Sequence, residues 1–272
     1  MTAIARALSR ATQQLSDSSD TPRLDAELLM AHALGIERDA LLLSSPAGPP
    51  PAEFIALIER RLGKEPIAYI TGRRAFWNIE VEVGPGVLIP RPDSETLIVA
   101  AIEHFADTPG PKRILDLGTG PGTLLLAALD QWPLATGLGV DSSEAALEFA
   151  RSNARRLGLA NRAFFRRGDW ANGVSETFDL VLINPPYVAE DAELAPEVAE
   201  HEPTEALFAG VEGLDEYRRL APEVGRLLSP GGLAAIEIGF DQADSVSQLL
   251  RSAGLDPRLA RDLAGQPRAM LI

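Results

Sequence analysis

The chain has 272 residues, 46% of them hydrophobic, a formal net charge of −14 and no cysteine. That length and apolar content suit one large domain beside a small one, and the lack of cysteine excludes disulfides and thiolate metal sites. No apolar run approaches the ~18–20 residues of a membrane span, no basic-then-apolar leader is present, and the acidic balance argues against nucleic acid as the main substrate.

In chain order, apolar periodicity over 4–15 predicts a helix. Asp20-Thr21-Pro22 then opens a second over 24–34, which Gly35 stops. Residues 39–43 and 52–62 read as two more, with the proline-rich 45–51 as a loop between them. These make a small helical bundle ending near Gly72. From Phe76 to Ile89 the alternation of Ile79, Val81 and Val83, followed by Gly84-Pro85-Gly86, predicts a β-hairpin bridging to the rest. Beyond Pro92 a helix leads into strands alternating with helices, the pattern of a parallel, doubly wound α/β sheet. Strands are expected at 113–117, 136–140, 163–167, 178–183, 233–238, 258–262 and 269–272, with an antiparallel pair among the last three.

Two motifs in this pattern carry chemistry. The first strand runs into Gly118-Thr119-Gly120-Pro121-Gly122 and then an apolar helix. Glycines let the backbone turn tightly and approach a ligand, and the helix amino end adds free N–H groups. A dinucleotide fingerprint would place glycine at position 123, where Thr123 stands, and Asp116 two residues before Gly118 suits a cationic ligand better than a pyrophosphate. The next strand ends at Asp141, placed to accept from both hydroxyls of a ribose or to cap the helix that follows; the third ends at Gly168-Asp169-Trp170, a polar acceptor beside a large aromatic face. The second motif is Asn184-Pro185-Pro186-Tyr187, directly after the apolar 178–183. The Asn184 carboxamide oxygen and the Pro185 carbonyl are two acceptors for the two N–H donors of a planar NH2 group, Tyr187 is a flat wall, and the prolines aim the carbonyls in advance.

These features, in this order, resemble the class I S-adenosylmethionine-dependent methyltransferases. With Tyr69-Ile70-Thr71-Gly72, the run Val87-Leu88-Ile89-Pro90-Arg91-Pro92-Asp93-Ser94-Glu95-Thr96-Leu97, Glu202-Pro203, Ala206-Leu207 and Asp262-Leu263-Ala264-Gly265, the chain resembles the PrmC/HemK family over almost its whole length. That family methylates the N5 amide of the glutamine in the Gly-Gly-Gln loop of class I peptide chain release factors. The resemblance implies a seven-stranded methyltransferase sheet, with a helical substrate-binding domain over 1–72, a β-hairpin linker over 73–91 and the catalytic domain over 92–272. It implies S-adenosylmethionine bound by Asp116, Gly118, Thr119, Gly120, Gly122, Asp141, Asp169, Trp170 and Asn184. The glutamine amide would be held by Asn184, Pro185, Pro186 and Tyr187, with Asn184, Pro185 and Tyr187 serving the transfer. It further implies a cytoplasmic monomer that binds release factors and neither nucleic acid stably nor membrane. The chain departs from the family at Phe208-Ala209-Gly210-Val211-Glu212-Gly213, where a glycine pair and Asp-Gly are usual, and at Pro121 and Thr123, where Ser and Ala are usual.

Charge bears on the partner. Residues 1–75 hold nine basic and nine acidic residues, so the rest of the chain carries the whole −14, and seven acidic residues lie within 190–205. Such a run reads as a solvated loop or as a landing surface for a basic partner. His32, His104 and His201 are scattered and do not form the paired spacing a metal needs. Two other functions fit the motifs: methylation of an exocyclic amine on a nucleic-acid base, which shows the same planar NH2, and a non-catalytic cofactor-binding module that docks a partner.

Overall fold

The computed structural model describes residues 2–44 and 46–272, so Ser45, at the start of the predicted 45–51 loop, lies outside the described residues. The chain divides into two compact units, Met1–Arg73 with Leu194–His201, and Arg74–Glu193 with Glu202–Ile272.

In the first unit, helices α1 (Ala3–Leu15), α2 (Pro22–Leu34), α3 (Arg38–Ser44), α4 (Phe54–Leu62) and α5 (Ile67–Thr71) bury Leu8, Leu15, Leu29, Met30, Phe54 and Ile58 in a common core. Thr2 caps α1 through its hydroxyl, and Gly35 ends α2 in the left-handed region at φ 64°. The apolar spacing predicted four of these helices and missed α5, a single turn whose residues read as a motif. Charge is also buried here: Arg61 meets Asp25 at 2.7 Å, and Asp25 accepts from Ser19 and Thr21 as well. Arg61 also reaches Glu197 at 2.7 Å. Glu197 belongs to α9 (Pro196–His201), so the acidic 190–205 stretch is not simply a solvated loop.

The second unit opens with a two-stranded sheet of β1 (Arg73–Phe76) and β2 (Ile79–Glu82). Its turn is at Trp77-Asn78, with Trp77 at φ 52°, and not at Gly84-Pro85-Gly86 as the glycines suggested. Trp77 N–H donates to Glu95 at 2.8 Å, which supports the unusual turn. The fully buried Asn153 bonds both backbone groups of Glu82, so the hairpin is fastened to the body of this unit.

A 3-10 turn at Pro92–Ser94 leads to α6 (Glu95–His104) and then β3 (Arg113–Leu117), α7 (Thr123–Gln131), β4 (Thr136–Asp141), α8 (Glu144–Arg156), β5 (Ala163–Arg167) and β6 (Phe178–Ile183). After α9 follow α10 (Asp215–Leu227), β7 (Leu228–Glu237), α11 (Ala243–Ser252), β8 (Arg258–Arg261) and β9 (Pro267–Leu271). The strands form one seven-stranded sheet in the order β5-β4-β3-β6-β7-β9-β8, parallel but for β9. β3 and β6 are mostly apolar because helices cover both faces, and Leu115, Leu117, Val181 and Ile183 are fully buried, with Asp116 among them in β3. The chain winds outward from β3 through β4 to β5, then returns to lay β6 on the other side of β3. That reversal opens a crevice at the carboxyl ends of β3, β4 and β6, where ligands bind in such sheets. Among the described residues no helix is long and apolar enough to cross a membrane.

Candidate active site

A cleft of about 530 Å³ occupies this crevice, lined in part by Gly118, Gly120, Asp141, Asp169, Trp170 and Asn184. The loop after β3 is fixed by backbone: Gly118 and Thr119 N–H groups donate to the Val140 carbonyl at 2.9 and 3.1 Å. Gly118 sits at φ 72°, and a Cβ there would lie 3.0 Å from the Trp170 ring, so only glycine allows both the turn and the aromatic wall. Trp170 itself adopts φ 49°, and its indole N–H donates to Glu216 at 2.5 Å.

The Asp141 carboxylate accepts from Gly120 N–H and Ser143 N–H, each at 2.8 Å, and so couples the glycine loop to the end of β4. The cap of α8 is Ser143, whose hydroxyl accepts from Ala146 N–H, which corrects the helix-cap reading of Asp141. Asp169 is paired with Arg219 at 2.6 Å on the exposed rim, where such pairs contribute little to stability.

Of the residues expected to bind the cofactor, Asp116, Thr119 and Gly122 do not stand among the residues that line the cleft. Asp116 is buried behind the loop, where Oδ2 accepts from the Thr119 hydroxyl at 2.6 Å and from Leu125 N–H in the first turn of α7 at 3.1 Å. Burial pushes its carboxyl up to about 7 despite these bonds, with the nearby Asp141 adding in the same direction. Gly122 packs against Leu126 and Ala150, which leave no room for a side chain. Sequence reasoning missed Glu216 and Arg219 on α10, which border the cleft, because they sit on an ordinary amphipathic helix with no local signal.

A smaller recess, about 50 Å³, is lined by Arg91, Asn184, Pro185, Tyr187 and Glu237 among others. Asn184 borders both cavities; Pro186 faces the larger one, and Pro185 and Tyr187 the smaller. The Asn184 NH2 donates to Ser94 Oγ at 3.2 Å, which leaves its carboxamide oxygen as the free acceptor. Burial, and then the Glu237 charge, hold the Tyr187 phenol well above its ordinary range, so it stays protonated; it donates to Glu237 Oε1 at 3.3 Å. The departing segment 208–213 also serves Tyr187: Gly213, at φ 68°, lies too close to the Tyr187 carbonyl to carry a side chain, and Gln242 donates to both carbonyls.

Residues 6–72 match the model of the PrmC N-terminal domain, and residues 110–251 that of a methyltransferase domain. A release factor glutamine methyltransferase of Rhodospirillum rubrum is 44% identical over 98% of this chain and 84% of its own length. One of Caulobacter vibrioides is 42% identical over 98% of this chain and 95% of its own. The chain belongs to the release factor glutamine methyltransferase family. A solved methyltransferase of Pyrococcus furiosus shares the fold, with a TM-score of 0.53 at 18% identity, over 78% of this chain and 95% of its own. Membership in the family confirms the seven-stranded methyltransferase architecture with its helical amino-terminal unit, and a methyl donor of the S-adenosylmethionine type follows from the methyltransferase domain.

Proposed function

We propose that Asn184 and Pro185 seat the side-chain amide of a release-factor glutamine in the recess, beside S-adenosylmethionine held in the larger cleft. The enzyme methylates release factor glutamine. The observation that carries the residue assignment is that Asn184 borders both cavities with its carboxamide oxygen uncommitted.

The cleft suits S-adenosylmethionine in its donors and its shape. Asp141 offers a carboxylate to ribose hydroxyls, Trp170 an aromatic face, and Gly118 and Gly120 a wall without side chains. The cofactor supplies an electrophilic methyl group on a sulfonium. An amide nitrogen is a poor nucleophile because its lone pair is delocalised into the carbonyl, so the protein's task is to hold it. The Asn184 oxygen and the Pro185 carbonyl take one N–H each, which fixes the plane of the amide and aims the nitrogen; alignment of this kind supplies as much as ~7–11 kcal/mol in ideal systems. Tyr187, kept protonated, acts as a wall and not as a base. Asp116, buried away from the cleft, orients the glycine loop.

The acceptor is the Gly-Gly-Gln loop of class I release factors, and the helical unit up to Gly72 grips the body of that substrate while the unit from Pro92 onward carries catalysis. The enzyme works as a cytoplasmic monomer without stable nucleic-acid binding, the last supported by the net charge of −14. Asn184→Ala should remove most of kcat on a release factor while the S-adenosylmethionine Kd stays within a few-fold, because the side chain touches the acceptor. Near-normal turnover by this variant would show that the turn does not hold the amide.

A further inference from the structure

We infer that Arg91 donates a hydrogen bond to the carbonyl oxygen of the acceptor amide and so completes its recognition in the recess. This rests on the reading that Asn184 and Pro185 receive the two N–H groups of a glutamine side chain. The amide has a third polar atom, its oxygen, and a carbonyl oxygen taken out of water without a donor opposes binding.

Most donors around the recess are already committed. Above a pH of about 7, where Glu237 is a carboxylate, the lining side chains that carry N–H or O–H groups are Arg91, Asn184 and Tyr187. The Asn184 NH2 donates to Ser94 Oγ at 3.2 Å, and the Tyr187 hydroxyl to Glu237 Oε1 at 3.3 Å. The N–H groups of Val188, Ala206 and Leu207, which also line the recess, go to the Leu207, Pro203 and Thr204 carbonyls. Arg91 is different. A guanidinium has five N–H donors and is always charged; Nη2 serves Glu202 Oε1, and among the described residues the other nitrogens have no partner.

The chain holds this cation at the recess. Pro92 keeps Arg91 out of the helical region, at φ −98° and ψ 139°, and Arg74 Nε donates to the Pro90 carbonyl at 3.3 Å. Glu202 is buried; one of its oxygens accepts from Arg91 and the other from Ile89 N–H at 3.0 Å, so a single carboxylate fixes both the side chain and the backbone two residues before it. None of Ile89, Pro90, Arg91 and Pro92 lines the larger cleft, so the inference gives this run of the sequence a role of its own.

The bond also has a kinetic signature. Before transfer the amide nitrogen shares its lone pair with the oxygen, which makes the oxygen a strong acceptor. As the nitrogen turns that pair toward the methyl group, the sharing ends and the oxygen loses negative charge. A donor on the oxygen is therefore strongest before transfer, and it serves binding and not rate.

The test uses the full-length protein, an intact release factor and saturating S-adenosylmethionine at mildly alkaline pH. Arg91→Met should raise KM for the release factor about tenfold or more, with kcat and the cofactor Kd within about threefold of the parent. That variant also leaves the buried Glu202 without its cation, so R91M/E202Q is measured beside it; a glutamine at 202 still accepts from Ile89 N–H and carries no unpaired charge. KM should stay raised in the double variant, which decides the matter if R91M alone does not fold. A KM within about twofold of the parent in R91M/E202Q would mean that Arg91 serves only Glu202, and the inference is overturned. It is equally overturned if kcat falls about tenfold while KM is unchanged. With N184A inactive, either outcome leaves the Asn184 reading intact. An active N184A would instead remove that reading, and this inference with it.

Discussion

Asp141 is doubly engaged, by Gly120 and Ser143 N–H, before any cofactor arrives. Its oxygens are therefore fixed in place, and each keeps a lone pair for a ribose hydroxyl. Asp141→Ala should weaken S-adenosylmethionine by about 1.5–3 kcal/mol, since it removes charge-assisted hydrogen bonds and loosens the loop. Titration calorimetry giving an unchanged affinity on a folded variant would exclude the ribose role. The places of Asn184 and Asp141 beside the cleft were readable in the sequence because each follows directly from a strand end and a local turn. Ser94 and Glu237 were not readable as partners of that turn. They lie 90 and about 50 residues from Asn184 and Tyr187 in the chain, and neither stands out by type.

Elements show the same division between local and long-range signals. Strand and helix order followed from periodicity, and β3 to β6 lie within a residue of their expected ends. The hairpin turn was misplaced because Gly84-Pro85-Gly86 is the stronger turn signal by composition, whereas Trp77, at positive φ, is supported by donating its N–H to Glu95, which no local pattern reveals. At the junction of β3, the glycine loop and α7, Asp116 gives a pH test. Its folded pKa of about 7 exceeds the ordinary 3.8, so the folded state holds the proton more tightly. Its contribution is fully favourable below the unfolded value and is lost as pH rises through about 7, by on the order of 2–4 kcal/mol. Asp116→Asn keeps an acceptor for Thr119 and Leu125 without the charge. Thermal melts across this window should find the variant gaining on the parent as pH rises, with no further change above it; parallel curves would place the charge elsewhere.

At the scale of the whole molecule, residues 1–75 carry no net charge and no glycine loop, yet residues 6–72 match a domain model of their own. A variant lacking the residues before Arg74 should still bind S-adenosylmethionine but methylate an intact release factor poorly. A short glutamine peptide should be affected much less, because the deletion removes binding energy from remote parts of a large substrate. Equal losses on both would mean that the helical unit only supports the catalytic fold. The central claim is that methyl transfer goes to one glutamine side chain of a release factor. Peptide mass spectrometry of a purified release factor, after incubation with the full-length enzyme and S-adenosylmethionine, tests it directly. The account predicts a single added methyl group on the glutamine of the Gly-Gly-Gln loop, absent with N184A. An unmodified glutamine, together with methyl transfer to an adenine or cytosine amine in added nucleic acid, would contradict it.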